Sequence, residues 1–172
     1  MEEQEQKISF YEQRTIRWDR LSNAVVMIDQ TLLPLELKFI ECRTVGDIID
    51  AIKSMKIRGA PAIGVAGAMG VALSVFSSKG KTSSELMSDV RRDSVEIRNA
   101  RPTAVNLAWG VESALEFQEC NQSGSLEKRE IEKKIVEFVE ELAESDVKAN
   151  KKLSSLGAQL FRNGDSVLTH CK

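Results

Sequence analysis

Histidine occurs once and cysteine three times in the 172 residues of this chain, and aromatic residues make up only 5%. Cys42, Cys120 and Cys171 are too few and too widely spaced for a disulfide framework or a structural zinc site, so no metal is expected. Such sparing use of cysteine fits a reducing compartment, and a cytoplasmic setting is the expectation. No excess of one charge sign exists either. The formal net charge is -2, with lysine and arginine spread along the chain and no basic stripe interleaved with aromatics. Nucleic acid is therefore not an expected partner. The start, Met1-Glu-Glu-Gln-Glu-Gln-Lys7, is polar and acidic, the opposite of a signal peptide. The most apolar run, Ala60 to Phe76, falls short of the roughly 20 residues of a comfortable membrane span and is built from Gly and Ala more than Leu or Ile. It reads as a buried helix, and no membrane is expected as a partner.

What is present is the composition of an ordinary globular protein, 42% hydrophobic and 29% charged, sized for one domain or for one domain and the beginning of another. Thr15 to Trp18 and Ala24 to Asp29 flank a polar segment and predict an antiparallel hairpin, with Asn23 in its turn. Pro34 ends that unit. Thr44 is placed to cap a helix, with Asp47 as the acid of a capping box. Val45, Ile48, Ile49, Ile52 and Met55 follow at helical spacing as one apolar stripe.

Arg58-Gly59-Ala60 interrupts the pattern, and Pro61 suits the first turn of a second helix running to about Phe76. Gly64, Gly67 and Gly70 each cost that helix about 1 kcal/mol relative to alanine, which dense packing against close neighbours offsets. The sequence thus predicts a central helix buried nearly all round. Helices follow at Glu85 to Ile97, at Thr103 to Gln118 and at Leu126 to about Lys151, the last charged and amphipathic with a stripe of Ile131, Ile135, Phe138 and Leu142. A shorter helix around Leu153, Leu156 and Leu160 precedes the Asn163-Gly164-Asp165 turn. Asp165 to Cys171 reads as a short buried strand with His170 and Cys171 at its carboxyl end, where open α/β sheets place ligands. The expectation is an amino-terminal segment of a larger enzyme. Residues 1–163 form a hairpin plus helical domain, and residues 164–172 the first strand of a second domain.

Two loops share one layout. Arg58-Gly59-Ala60-Pro61 and Arg101-Pro102-Thr103 each set an arginine just ahead of a helix. A helix start offers unpaired N–H groups and partial positive charge, and a guanidinium adds a fork suited to phosphate oxygens. Gly59 permits close backbone approach. The plainer reading is that each arginine pairs with a surface acid; the sharper one is a phosphate site built from both helix starts. Cys171 is open to two readings, an inert core thiol or an acid/base or nucleophile. Alternation along a strand sends His170 to the opposite face, so His170 is read as structural. Trp18 and Trp109 read as packing residues, Trp18 being the better candidate for a ligand-adjacent rim.

Ile28-Asp-Gln-Thr-Leu-Leu-Pro34, Met55-Lys-Ile-Arg-Gly-Ala-Pro-Ala-Ile-Gly64, Asn99-Ala-Arg-Pro-Thr-Ala-Val-Asn-Leu107 and Leu168-Thr-His-Cys171 carry a resemblance that extends over nearly the whole chain. The chain resembles the methylthioribose-1-phosphate isomerases, a family related to ribose-1,5-bisphosphate isomerases and to the regulatory alpha, beta and delta subunits of translation initiation factor 2B. The resemblance implies an α+β fold: a mostly helical amino-terminal domain with a small antiparallel β portion, followed by a Rossmann-like domain of which only the first strand lies in this sequence. It implies that Arg58, Gly59, Ala60 and Arg101 hold the substrate phosphate, and that Cys171 is catalytic together with an aspartate from the carboxyl-terminal half. The family pattern continues Thr-His-Cys with Asn-Ala-Gly, where this sequence has Lys172.

The implied reaction converts 5-methylthio-ribose 1-phosphate to 5-methylthio-ribulose 1-phosphate in methionine salvage, by either an enediolate or a hydride shift. Neither route uses a metal or nicotinamide, so no cofactor is expected. The implied partners are a small sugar phosphate and, for the full-length protein, a second copy in a homodimer. This 172-residue chain alone is expected to be inactive. A ribose-1,5-bisphosphate isomerase and a non-enzymatic initiation factor 2B-like regulatory subunit are the alternatives.

Overall fold

Alternation of apolar and polar residues builds the first elements. In the computed structural model, which describes residues 14–121 and 127–168, strand β1 (Ile16–Asp19) buries Ile16 and Trp18 and turns Arg17 outward. It pairs antiparallel with β2 (Ala24–Ile28), with Ile16 opposite Met27 and Trp18 opposite Val25. Asn23 takes the left-handed conformation in the connecting turn, at φ 49, as its side chain allows. A third strand, β3 (Phe39–Cys42), adds to the other edge of β2, giving the order β1-β2-β3. The sequence pattern predicts no element over those residues. Only Cys42 of the four is buried, so the strand carries little of the alternation that announces one.

Among the described residues five helices follow: α1 (Val45–Lys53), α2 (Ala60–Ser77), α3 (Ser83–Asn99), α4 (Val105–Cys120) and α5 (Lys128–Ala158). Mostly helical with one small antiparallel sheet, the architecture is the α+β class expected. Thr44 and Asp47 close the anticipated capping box on α1, and Thr82 and Glu85 close a second on α3. α2 is the centre of the molecule, buried continuously from Ile63 to Val75. It is long and apolar enough to cross a membrane, yet 72% of it is buried within this fold, as suits a core helix. Its far end meets the sheet where Phe76 packs on Trp18, ring centroids 5.4 Å apart. α5 closes the core with Ile131, Ile135, Val136, Val139 and Leu142, while Phe138 stacks on Phe117 of α4 at 4.3 Å.

Three expectations are corrected. Met55 is not part of the α1 stripe: the helix ends at Lys53, and Met55 lies beyond it at φ 58, about half exposed. α5 does not break near Lys151 but runs on to Ala158, since nothing in that stretch interrupts a helix before Gly157. Leu153 and Leu156 are therefore on its exposed surface, and Leu160 lies past its end. α4 starts at Val105, because Arg101 to Ala104 form a turn closed by the Ala104 N–H on the Arg101 carbonyl at 3.0 Å. Of the strand expected from Asp165, residues Asp165 to Leu168 make no ladder and Leu168 is exposed. The rest of that stretch, with His170 and Cys171, lies outside the described residues.

Candidate phosphate-binding site

The site begins with the way α1 ends. The Met55 N–H bonds the Ile52 carbonyl at 3.2 Å and the Lys56 N–H bonds the Ala51 carbonyl at 2.9 Å. This is a Schellman closure, with Met55 in the left-handed position usually given to glycine. The chain reverses there, Ile57 is fully buried, and Arg58 emerges at the surface. Gly59 follows at φ 90 and ψ 127, a conformation that costs a residue with a Cβ strain of about 1–3 kcal/mol. Among the described residues no atom crowds the place where such a Cβ would stand, so glycine is required there for its backbone freedom.

Gly59 is the N-cap of α2 and Ala60 its first residue. Among the described residues no side chain caps this end, and its first turn holds no acid. α4, which follows Arg101, is alike in both respects. By contrast α1 and α3 are capped by threonine and an acid, and α5 carries Glu130 in its first turn. Among the described residues, the two helices preceded by the arginine loops are thus the two whose orphan N–H groups and positive dipole ends find no anionic or side-chain acceptor. Among the described residues no acid pairs with Arg58 or Arg101. The plainer reading of each arginine as a surface ion-pair partner therefore finds no support.

Arg58, Gly59 and Pro61 open on a cleft of about 960 Å³ between β1, the first half of α2 and the second half of α5. Trp18, Ile28, Val65 and Met69 supply apolar walls. On the α5 side, Glu144 pairs with Arg14 at 2.6 Å and Glu140 accepts from Arg20 Nε at 3.1 Å, so these acids are neutralised from the two ends of β1. Arg58 and Lys151 are lining cations with no ion-pair partner among the described residues. Arg101 is half-buried at the α3–α4 corner and does not line this cleft. It leads instead into the first turn of α4, which lies on the second turn of α2. There the Asn106 carbonyl oxygen stands 3.0 Å from where a Gly64 Cβ would be. Cys171 lies outside the described residues.

Trp18 is 5% exposed and lines the cleft, whereas Trp109 is half exposed. Sequence reasoning passed over Gln30, Arg14, Arg17 and Lys151 as cleft residues. Gln30 sits in the quoted Ile28-to-Pro34 motif, so a signal was present, but its contact with a loop far along the chain needed the fold. Its neighbour Asp29 is buried and accepts from the Thr31 hydroxyl at 2.6 Å and the Thr31 N–H at 3.0 Å. The Thr31 hydroxyl holds the Asp29 carboxyl below the ordinary carboxylate value, against the opposing effect of burial.

Residues 56–172 match the Initiation factor 2 subunit family. The chain belongs to that family. A protein of Methanosarcina acetivorans is 40% identical over 158 residues, which is 92% of this chain and 44% of the relative. The methylthioribose-1-phosphate isomerase of Herpetosiphon aurantiacus is 34% identical over 158 residues, 92% of this chain and 43% of its own length. Among solved structures, 5-methylthioribose 1-phosphate isomerase from Pyrococcus horikoshii superposes with a TM-score of 0.80 at 36% identity, over 88% of this chain and 41% of that one. The delta subunit of translation initiation factor eIF-2B from A. fulgidus gives 0.78 at 38% identity, over 88% and 43%. This chain spans less than half the length of these relatives.

Proposed function

We propose that this chain provides the phosphate-binding part of an aldose–ketose isomerase that turns 5-methylthioribose 1-phosphate into 5-methylthioribulose 1-phosphate. The observation that carries the reading is the start of α2. It is uncapped, it is reached through a glycine at φ 90, and it is preceded by an arginine that no acid engages among the described residues. The Ala60 N–H and the Arg58 guanidinium would take phosphate oxygens, with Pro61 having no N–H to offer. Arg101, ahead of the similarly bare start of α4, would take a further oxygen. Isomerase names among the relatives supply the sugar.

A phosphate on the anomeric carbon blocks the free aldehyde, so ring opening needs a proton donor at the ring oxygen. Cys171 is our candidate for a group that moves a proton at C1 or C2, beside a carboxylate partner. The phosphate loops would hold the sugar while this happens, and the apolar walls of the cleft would exclude water from it.

Calorimetric titration of the 172-residue chain with inorganic phosphate tests the site. Replacing either arginine, as Arg58→Ala or Arg101→Ala, should weaken binding about tenfold or more, the loss of a charge-assisted contact. Affinity unchanged in Arg58→Ala would remove the assignment, and affinity unchanged in Arg101→Ala alone would remove Arg101 from it. The likeness to an eIF-2B delta subunit favours a second reading, a non-enzymatic subunit of a translation factor assembly. Tight association with initiation factor 2, without isomerisation of the methylthio sugar by the protein carrying this chain, would establish that reading instead.

A further inference from the structure

Gln30 stands outside the arginine loops in sequence but is bound twice to the turn that leads into one of them. Its main-chain N–H donates to the Lys56 carbonyl at 2.9 Å. Its side-chain Nε2 donates to the Arg58 carbonyl at 3.2 Å. The two bonds grip alternate carbonyls of one turn, and Ile57 between them is fully buried. Gln30 itself lies two residues past the end of β2, the central strand of the sheet, and it lines the same cleft as Arg58 and Gly59.

From these contacts we infer that Gln30 is the positioning residue of the phosphate loop, fixing the Arg58–Gly59 peptide from the sheet; the inference rests on the phosphate reading of that loop. The reasoning is geometric. The Schellman closure behind Met55 fixes the loop as far as Lys56 through its N–H on the Ala51 carbonyl. Beyond it, the next hydrogen bond along the chain that belongs to α2 is the Ile63 N–H on the Gly59 carbonyl at 2.9 Å. Between those two anchors lies the Arg58–Gly59 peptide. Gly59 is the residue with the widest rotational freedom in the segment, so a rotation about its bonds would swing the start of α2 relative to the guanidinium. The Gln30 side chain holds the Arg58 carbonyl at this hinge. An oriented carbonyl fixes the plane of the peptide, and with it the direction of the Gly59 N–H on the opposite side. A phosphate meeting Gly59, Ala60 and Arg58 would then find donors already aligned and would not lose affinity to ordering the loop.

Gln30→Met removes the Nε2 donor while keeping length and volume, and it leaves the main-chain bond to Lys56 intact. Titrated with inorganic phosphate, this variant should bind about fivefold more weakly than the unmodified chain, the effect of one neutral hydrogen bond, with the unfolding midpoint nearly unchanged. In amide NMR spectra the phosphate-induced shifts of Gly59 and Ala60 should shrink in the variant. A residue that merely stabilised the fold would move the midpoint and leave those shifts at saturation alone. A measurement on the unmodified protein stands even where the variant folds poorly: the Gln30 side-chain amide resonances should shift on phosphate addition. No shift there, or phosphate affinity retained by folded Gln30→Met, overturns the inference. Arg58→Ala separates the two levels. Loss of binding in Arg58→Ala with full binding in Gln30→Met rejects the role of Gln30 and keeps the site, whereas full binding in Arg58→Ala rejects both.

Discussion

Gly110 of α4 stands against the main chain of Gly64 in α2, so closely that a Cβ at position 110 would lie 2.0 Å from the Gly64 carbonyl oxygen and 2.7 Å from its carbonyl carbon. Neither atom can move without displacing α2. A turn further along, a Cβ at Gly67 would meet the Leu107 Cδ1 at 2.8 Å and the Leu107 carbonyl oxygen at 3.1 Å, a looser approach whose tightest contact is a side-chain end. The glycines that weaken α2 as an isolated helix are what let α4 approach it, and the contact sets where the first turns of both helices stand.

Gly110→Ala should therefore destabilise the fold by about 3 kcal/mol or more, at or beyond the upper end of ordinary overpacking, because backbone and not a rotamer must yield. Gly67→Ala should cost less. Urea unfolding of both variants checks the order. A Gly110→Ala midpoint within experimental error of the unmodified chain would show that α4 is free to slide on α2.

This contact also shows what could be read ahead of the structure. Glycines three apart in an apolar run announced a buried helix with a close neighbour, and α2 is that helix; the partner glycine on α4 carried no such mark. Thr44 with Asp47 gave the start of α1 through side-chain chemistry local to one turn. The end of α1 was missed because Met55, an apolar residue at helical spacing, adopts the left-handed cap that favours glycine. β3 escaped because pairing with β2, and not its own alternation, makes it a strand. At the site, Arg58 and Gly59 were legible from their place ahead of Pro61. The missing caps on α2 and α4, and the reach of Gln30 to the Arg58 carbonyl, depend on what does not bond locally and on what bonds across the fold.

The described free cysteines are expected to differ in reactivity. Cys42 ends β3 buried at 2% exposure, and burial, reinforced by the nearby Asp47 charge, pushes its thiol up to about 11. Cys120 closes α4 at the surface. Alkylation of the folded chain near neutral pH, followed by peptide mapping, should label Cys120 and spare Cys42, because the thiolate is the reacting form. Unfolding in urea should make Cys42 reactive. Equal labelling of both in the folded chain would contradict a buried β3 edge.

The corner that carries Gln30 has a pH dependence of its own. Asp29 accepts two hydrogen bonds from Thr31, and the hydroxyl contact holds its carboxyl below the ordinary value despite burial. A folded pKa below the unfolded one contributes stability that is present above the unfolded pKa and is lost as pH falls through the folded one. Thr31→Val removes the hydroxyl donor and keeps the N–H, so the variant should be less stable than the unmodified chain at neutral pH. That difference should shrink as pH falls out of the ordinary carboxylate range and through the lowered folded value, below which the Asp29 carboxyl is protonated in both proteins. Urea midpoints of the two proteins across this range measure it. A difference that grows on acidification, or that does not vary with pH, would mean that the Thr31 hydroxyl does not act through the ionised carboxylate.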